Sequence, residues 1–127
     1  MSSTPLPSGT VGWTDLTVHD AERLRDFYSE VVGWKHSPVD MGGYNDYNML
    51  SSDGTSTAGV CHARGVNADL PAQWLIYITV DNIEVSIERC VQLGGKVIAG
   101  PKGMGGTSKY CVIKDPAGAV CALYQAK

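Results

Sequence analysis

The sequence predicts an α+β protein built from two tandem βαβββ modules, and three observations carry that prediction. A strand-like segment leading into an amphipathic helix that stops at glycine occurs twice. The two copies align without a gap, so that setting Val18 on Val80 places Gly33 on Gly95. Each copy is then followed by further strand-like segments with a turn, Ser52-Asp53-Gly54 in the first and Asp115-Pro116-Ala117-Gly118 in the second. A repeated unit of this kind implies a pseudo-symmetric domain. With each helix covering one face of its sheet, the uncovered faces form a cup-shaped, partly open mixed β-sheet barrel with the helices outside. The hollow is the natural place for a ligand.

Residues 1–10 are rich in Ser, Pro and Gly and read as a flexible lead-in. A single domain follows: a first module over 11–62, a linker over 63–72 holding Gly65 and Pro71, and a second module over 73–127. In the first strand Leu16 and Val18 point one way, while Trp13, Asp15 and Thr17 point the other. Asp20 is placed to cap the first helix, with Glu22 in its first turn. Ala21, Leu24, Phe27, Tyr28 and Val31 give the helix an apolar stripe, and Gly33 stops it. Strands over 44–50 and 57–62 complete this half. The fifth strand repeats the logic, with Ile76, Ile78 and Val80 toward a helix and Leu75, Tyr77 and Thr79 opposite. Asn82 or Asp81 caps the second helix, whose stripe is Ile83, Ile87, Cys90 and Val91. A short strand over 96–98 leads into a glycine-rich loop over 100–107 with wide conformational freedom, and strands over 110–113 and 119–124 end the chain.

A chain of 127 residues, 43% hydrophobic and 18% charged, has the composition of one ordinary globular domain. Its net charge of −3 and the lack of a basic stripe argue against a nucleic-acid partner. No apolar segment suits a signal peptide or a membrane span, so no membrane partner is expected. Cys61, Cys90, Cys111 and Cys121 fall inside strand and helix patterns rather than in loops. They read as reduced thiols of a cytoplasmic protein.

The run from Asp20 to Tyr28 followed by Val32-Gly33-Trp34 is one of three ordered signatures. The others are Tyr77 to Asp81 with Leu93-Gly94-Gly95-Lys96-Val97, and Asp115 to Ala119. On these residues the chain after Thr10 resembles the vicinal oxygen chelate superfamily, the glyoxalase, bleomycin-resistance and dioxygenase group. It looks most like the small single-domain glyoxalase-like members. The resemblance implies the fold given above. In metal-dependent members it also implies a divalent ion held by the first and last strands of each half. Carried over, those positions fall on Trp13, Leu75, Ala122 and Ala58 or its immediate neighbours, and none of these side chains is a metal ligand. No cofactor is therefore expected, a divalent metal being the alternative. The resemblance also implies pairing of two copies, and eight short strands leave edges to cover. A homodimer is expected, with Trp34 or Trp74 near its interface.

The expected ligand-binding residues are Trp13, Asp15, His62, Tyr77 and Tyr124 lining the hollow, joined by Tyr47, whose strand leaves its face open. Asp15, beside Trp13 and opposite Tyr77, is the candidate general base or ligand anchor. The competing reading is a carboxylate satisfied by neighbouring hydroxyls. His19, His36 and His62 share no ligand-like spacing, and Cys61 and His62 point to opposite faces. The glycine-rich loop lacks the spacing of a phosphate loop. These features predict a small-molecule-binding protein without the usual metal site, taking an aromatic or largely apolar metabolite. The alternative is an enzyme of the same superfamily, of lyase, isomerase or dioxygenase type, with Asp15 as general base or a metal site not evident in the sequence.

Overall fold

Strand alternation and two glycine stops produce the βαβββ order expected of each half, including a strand over residues 35–40 that the pattern had not delimited. The computed structural model describes residues 6–126; what was expected of residues 1–5 lies outside the described residues. The elements are β1 (Val11–Val18), α1 (Ala21–Val32), β2 (Lys35–Asp40), β3 (Asn45–Leu50), β4 (Ser56–His62), β5 (Trp74–Thr79), α2 (Ile83–Gln92), β6 (Lys96–Gly103), β7 (Lys109–Lys114) and β8 (Val120–Gln125). They divide into two compact units. One is Trp13–Trp74; the other runs from Leu75 onward and includes the N-terminal residues up to Gly12.

In the first unit the strand order is β2-β3-β4-β1, with β1 parallel to β4 and the other pairs antiparallel. Helix α1 lies on one face, where Ala21, Tyr47, Met49, Ala58 and Val60 are buried and Val18, Leu24, Tyr28, Trp34 and Trp74 pack against them. Gly33 ends the helix in the left-handed region at φ 83°, and its N–H donates to Ser29 O at 3.0 Å. Two expectations are corrected here. Asp20 makes no side-chain cap; its carbonyl instead accepts from the Leu24 N–H at 3.2 Å. Phe27 and Val31 are 52% and 64% exposed, because the core stripe follows Ala21, Leu24 and Tyr28 and leaves them on the outer side. Trp34 and Trp74 pack on Tyr28, with ring centroids 6.0 and 5.2 Å away, so both serve this unit's own core.

The second unit repeats the plan in the order β5-β8-β7-β6, with β5 parallel to β8. Helix α2 buries Ile83 against Cys111 and Leu123, with Ile78, Val80, Ile87, Val97 and Ile113 around them. Asn82 is the cap, its Oδ1 accepting from the Val85 N–H at 3.1 Å. Gln125 adds a second tie, accepting from the Ile83 N–H at 2.9 Å and donating to Thr107 O at 3.0 Å. Ile76 shares the parity of Ile78 but is 42% exposed, so Ile78 and Val80 carry the helix contact from β5.

Parts of two segments expected to be loose are hydrogen-bonded. Gly9 N–H donates to Thr79 O at 2.7 Å, and Thr79 N–H to Thr10 O at 2.8 Å, so the lead-in is hydrogen-bonded from Gly9 onward. Strand β6 runs through Gly103, pairing Lys102 with Tyr110 and Gly103 with Lys109 across two register shifts. At the second shift Gly100 has φ +79°, and a Cβ there would meet Tyr110 O at 2.9 Å. The glycine serves an irregular strand, and only the turn closed by Met104 N–H on Ser108 O, at 2.9 Å, remains a loop.

Candidate functional site

Alternation along β1 sends Trp13, Asp15 and Thr17 to the face that α1 leaves uncovered. There the indole Nε1–H of Trp13 donates to Asp15 Oδ1 at 2.6 Å. The parallel register sets Asp15 beside Gly59 of β4. A Cβ on Gly59 would fall within the Asp15 carboxylate and 3.5 Å from Trp13 Nε1. Gly59 is thus the seat of the pair, a place where a strand glycine permits close approach. The indole N–H is a partner of this carboxylate that reasoning from neighbouring hydroxyls missed. The signal for Gly59 was present in the sequence as a glycine inside a strand-like segment. Cys61 lies two residue pairs further along, next to buried Thr17. Its thiol is pushed far up, first by burial and then by the charges of Asp15 and Asp46, which makes it an inert thiol.

His62 and Tyr47 do not join Trp13 and Asp15; this corrects their placement in the hollow. Both share the parity of Val60, the residue that β4 packs under α1, and so both point toward the helix. Tyr47 OH donates to Glu22 Oε2 at 2.9 Å. The His62 Nε2 lies 2.9 and 3.1 Å from the two oxygens of Glu22, and Nδ1 lies 3.3 Å from Asp46 Oδ1. That same Asp46 oxygen accepts the His62 backbone N–H at 2.9 Å. The Tyr47 hydroxyl, and after it His62, hold the Glu22 carboxyl below its ordinary value, while burial and then Glu22 push the Tyr47 phenol up. Around this network Arg25 sits over the Tyr47 ring at 4.7 Å and Arg64 over the Tyr44 ring at 3.9 Å. Glu22, read from sequence as a helix-dipole residue, is the hub of a network that ties α1 to β3 and β4.

In the second unit the register Tyr77↔Ala122, Thr79↔Tyr124 and Tyr110↔Tyr124 gathers Tyr77, Tyr110 and Tyr124 on the face away from α2. The rings of Tyr77 and Tyr110 stand 6.4 Å apart, tilted by 43°. Tyr110 was missed as a site residue; its alternation with Cys111, which packs under α2, was the available sign. Leu75, Val112 and Ala122 are buried on this same uncovered side.

The registers also settle which residues occupy the positions where the superfamily resemblance implies metal ligands. Asp15 stands to Gly59 as Tyr77 stands to Ala122, so the position left between Ala58 and its neighbours is Gly59. Trp13 and Gly59 in the first unit, and Leu75 and Ala122 in the second, offer no lone pair suited to a divalent ion. Leu75 and Ala122 are 1% and 0% exposed. The residues present do not fit a metal there. Among the described residues no group of three or more His, Cys, Asp or Glu side chains is arranged to hold one elsewhere. No helix among the described residues is long and apolar enough to cross a membrane.

The family model described as the Glyoxalase/Bleomycin resistance protein/Dioxygenase superfamily matches residues 10–123. CFP32 of Mycobacterium bovis, which carries the name of a glyoxylase, is 31% identical over 121 residues, spanning 93% of this chain and 46% of that protein. The anthracycline biosynthesis protein DnrV of Streptomyces peucetius is 31% identical over 134 residues, spanning 96% of this chain and 49% of that protein. The chain therefore spans about half the length of the curated relatives it matches. Among solved structures, the hypothetical protein BH1468 of Bacillus halodurans C-125 aligns with a TM-score of 0.59 at 14% identity, covering 95% of this chain and 96% of the other. At that identity the likeness carries the fold alone. With two βαβββ units and a family match over nearly its whole length, the chain belongs to the glyoxalase/bleomycin resistance protein/dioxygenase superfamily.

Proposed function

We propose that this chain binds a small molecule with an aromatic or largely apolar body, and that Trp13 and Asp15 anchor it. The observation that carries this reading is the Trp13–Asp15 hydrogen bond, seated over Gly59 on the sheet face that α1 leaves uncovered. An indole gives an apolar surface for stacking, and a carboxylate beside it fixes the orientation of a ligand that carries a donor. Neither group belongs to the core that packs under α1. Tyr77, Tyr110 and Tyr124 give the second unit's uncovered face the same mixed character. Glu22, Asp46, Tyr47 and His62 satisfy one another, so Tyr47 and His62 drop out of the ligand set. The four free cysteines suit a cytoplasmic setting.

The test is a titration of aromatic metabolites followed by melting temperature and tryptophan fluorescence. A ligand held at 100 times its Kd should stabilise the protein by about 2.7 kcal/mol. Trp13→Ala should weaken that ligand at least tenfold, about 1.4 kcal/mol, with little change in the melt of the free protein. A ligand bound equally well by wild type, Trp13→Ala and Asp15→Asn would reject the site.

A second reading is favoured by the fixed geometry of the Asp15 carboxylate. In it Asp15 is the general base of a superfamily enzyme, in keeping with relatives named for a glyoxylase and for anthracycline biosynthesis. Asp15→Asn would then abolish turnover while leaving ligand binding nearly intact. Loss of binding and turnover together would return the residue to an anchoring role.

A further inference from the structure

The two halves share a plan but not a charge. The strands of the first unit carry Asp15, Asp40 and Asp46. Those of the second carry no Asp or Glu and four lysines, Lys96, Lys102, Lys109 and Lys114. Register divides these four between the faces. Lys109 takes the helix side, where its Nζ donates to Glu84 Oε2 of α2 at 2.6 Å. Lys102 pairs with Tyr110, Tyr110 with Tyr124, and Lys96 with Lys114, so the other three lysines belong to the face away from α2. Lys102 reaches that face only through the irregularity of β6. Continuing the register Ala99↔Val112 would set Lys102 opposite Lys109, on the helix side; the shift after Ala99 sets it opposite Tyr110 instead. A bulge that re-aims one side chain is a common device beside a binding site.

We propose that this face of the second unit binds an organic carboxylate, with Lys102 as its counter-charge and the Tyr124 hydroxyl as a donor to it. Among the described residues, the side chains of Lys102 and Tyr124 make no hydrogen bond, ion pair or ring contact. Tyr110 lies between them and is 7% exposed, while Lys102 is exposed and Tyr124 half-buried. Neighbouring strands are about 4.8 Å apart, so the two flanking backbones stand roughly 10 Å apart. A lysine stem and a phenol can close that span onto one small group. Tyr77 and Tyr110, with ring centroids 6.4 Å apart, give the apolar body of the ligand its surface. The pairing of Lys96 with Lys114 adds to the positive field, since like charges directly opposite one another destabilise a sheet unless an anion relieves them. The class of anion follows from the donors. Phosphate is met by a guanidinium fork or a nest of backbone N–H groups, and the strands of this unit contain no Arg. One ammonium with phenol donors suits a monovalent carboxylate on an apolar body. The site lies within the second unit and does not rest on the Trp13–Asp15 anchor, so either can fail alone.

Benzoate titrated into the whole chain at constant ionic strength tests this, read by amide and tyrosine-ring NMR, with benzamide and inorganic phosphate as comparison probes. Benzoate should shift resonances of β6, β7 and β8 and saturate with a Kd of about 1 mM, the affinity of a fragment of its size. Benzamide keeps the ring and loses the charge, and should bind about tenfold more weakly or worse. Lys102→Gln should cost benzoate about tenfold and leave benzamide unchanged. Tyr124→Phe should weaken benzoate about three- to tenfold, the worth of one hydrogen bond. Trp13→Ala, in the other unit, should leave the benzoate Kd within about twofold of wild type. Lys102 is exposed, so circular dichroism melts of Lys102→Gln should match wild type and separate lost binding from lost folding. Benzoate shifts absent up to about 50 mM would overturn the proposal, as would benzamide or phosphate binding as tightly as benzoate. So would wild-type benzoate affinity in Lys102→Gln or in Tyr124→Phe. A loss in Trp13→Ala as large as that in Lys102→Gln would put the carboxylate elsewhere and overturn it equally.

Discussion

At the scale of single residues, the most consequential position is a glycine with no function of its own. Gly59 lets the Asp15 carboxylate lie against the β4 backbone while Trp13 closes the hydrogen bond from above. Gly59→Ala should evict the carboxylate and break the Trp13 contact, at an overpacking cost of about 1–3 kcal/mol. Near-ultraviolet circular dichroism of Trp13 and ligand titration would read the loss. An unchanged indole signal would mean that the pair does not depend on its seat. A contrast between faces makes a second prediction. Met49 is fully buried under α1, so Met49→Ala should cost about 2–5 kcal/mol in a denaturant melt. Tyr77→Ala acts on the face away from α2 and should disturb ligand binding more than folding. Were Tyr77→Ala the more destabilising of the two, the roles assigned to the faces would be exchanged.

Among the elements, the β3–β4 hairpin shows how a few side chains hold a connection. Asp53 Oδ1 accepts from Ser51 Oγ at 2.5 Å and from the Thr55 N–H at 3.0 Å, while Ser51 N–H donates to Thr55 O at 2.9 Å. These donors, Ser51 first, lower the Asp53 carboxyl from its usual 3.8 to about 2. A carboxyl depressed in the folded state adds stability above its unfolded value, and loses that contribution as pH falls from about 3.8 toward 2. Asp53→Asn should therefore flatten the pH dependence of stability within that window and leave it unaltered above pH 5, about one unit beyond the unfolded value. A profile identical to wild type down to pH 2, about the folded value, would show the turn bonds to be without effect. The turn itself was legible as Ser-Asp-Gly between two strands. The caps were legible only in part. Asn82 holds its helix through a side chain, whereas Asp20 does so only through its carbonyl, and the sequence does not distinguish those cases. Gln125 reaches the Ile83 N–H from 42 residues away, a contact that only the folded strand order creates.

For the molecule as a whole, the duplication was readable because Val18 to Gly33 and Val80 to Gly95 align without a gap, and each half then repeats the same registers. Alternation likewise set Cys61 and His62 on opposite faces of β4, as their partners show. It could not tell which of the two faces a helix covers, and so His62 and Tyr47 were assigned to the wrong side of β4 and β3. The same registers support a prediction about metal. In the first unit Asp15 pairs with Gly59, and in the second Tyr77 pairs with Ala122; the companion first-strand positions are Trp13 and Leu75. An indole, a glycine, a leucine and an alanine cannot replace the hydration shell of a divalent cation, so binding there would gain nothing against water. A site loaded to 100 times its Kd would add about 2.7 kcal/mol to the folded state, a rise of roughly 10 °C in melting temperature for a chain of this length. Chelator followed by Zn, Ni or Mn should instead leave the melting temperature within about 1 °C of its starting value, because those four positions supply no such linkage to remove or restore. A fall of several degrees on chelation, reversed by one of those ions, would mean that other side chains of this chain converge on a metal. The apolar character of those four positions would then not decide the chemistry of the fold.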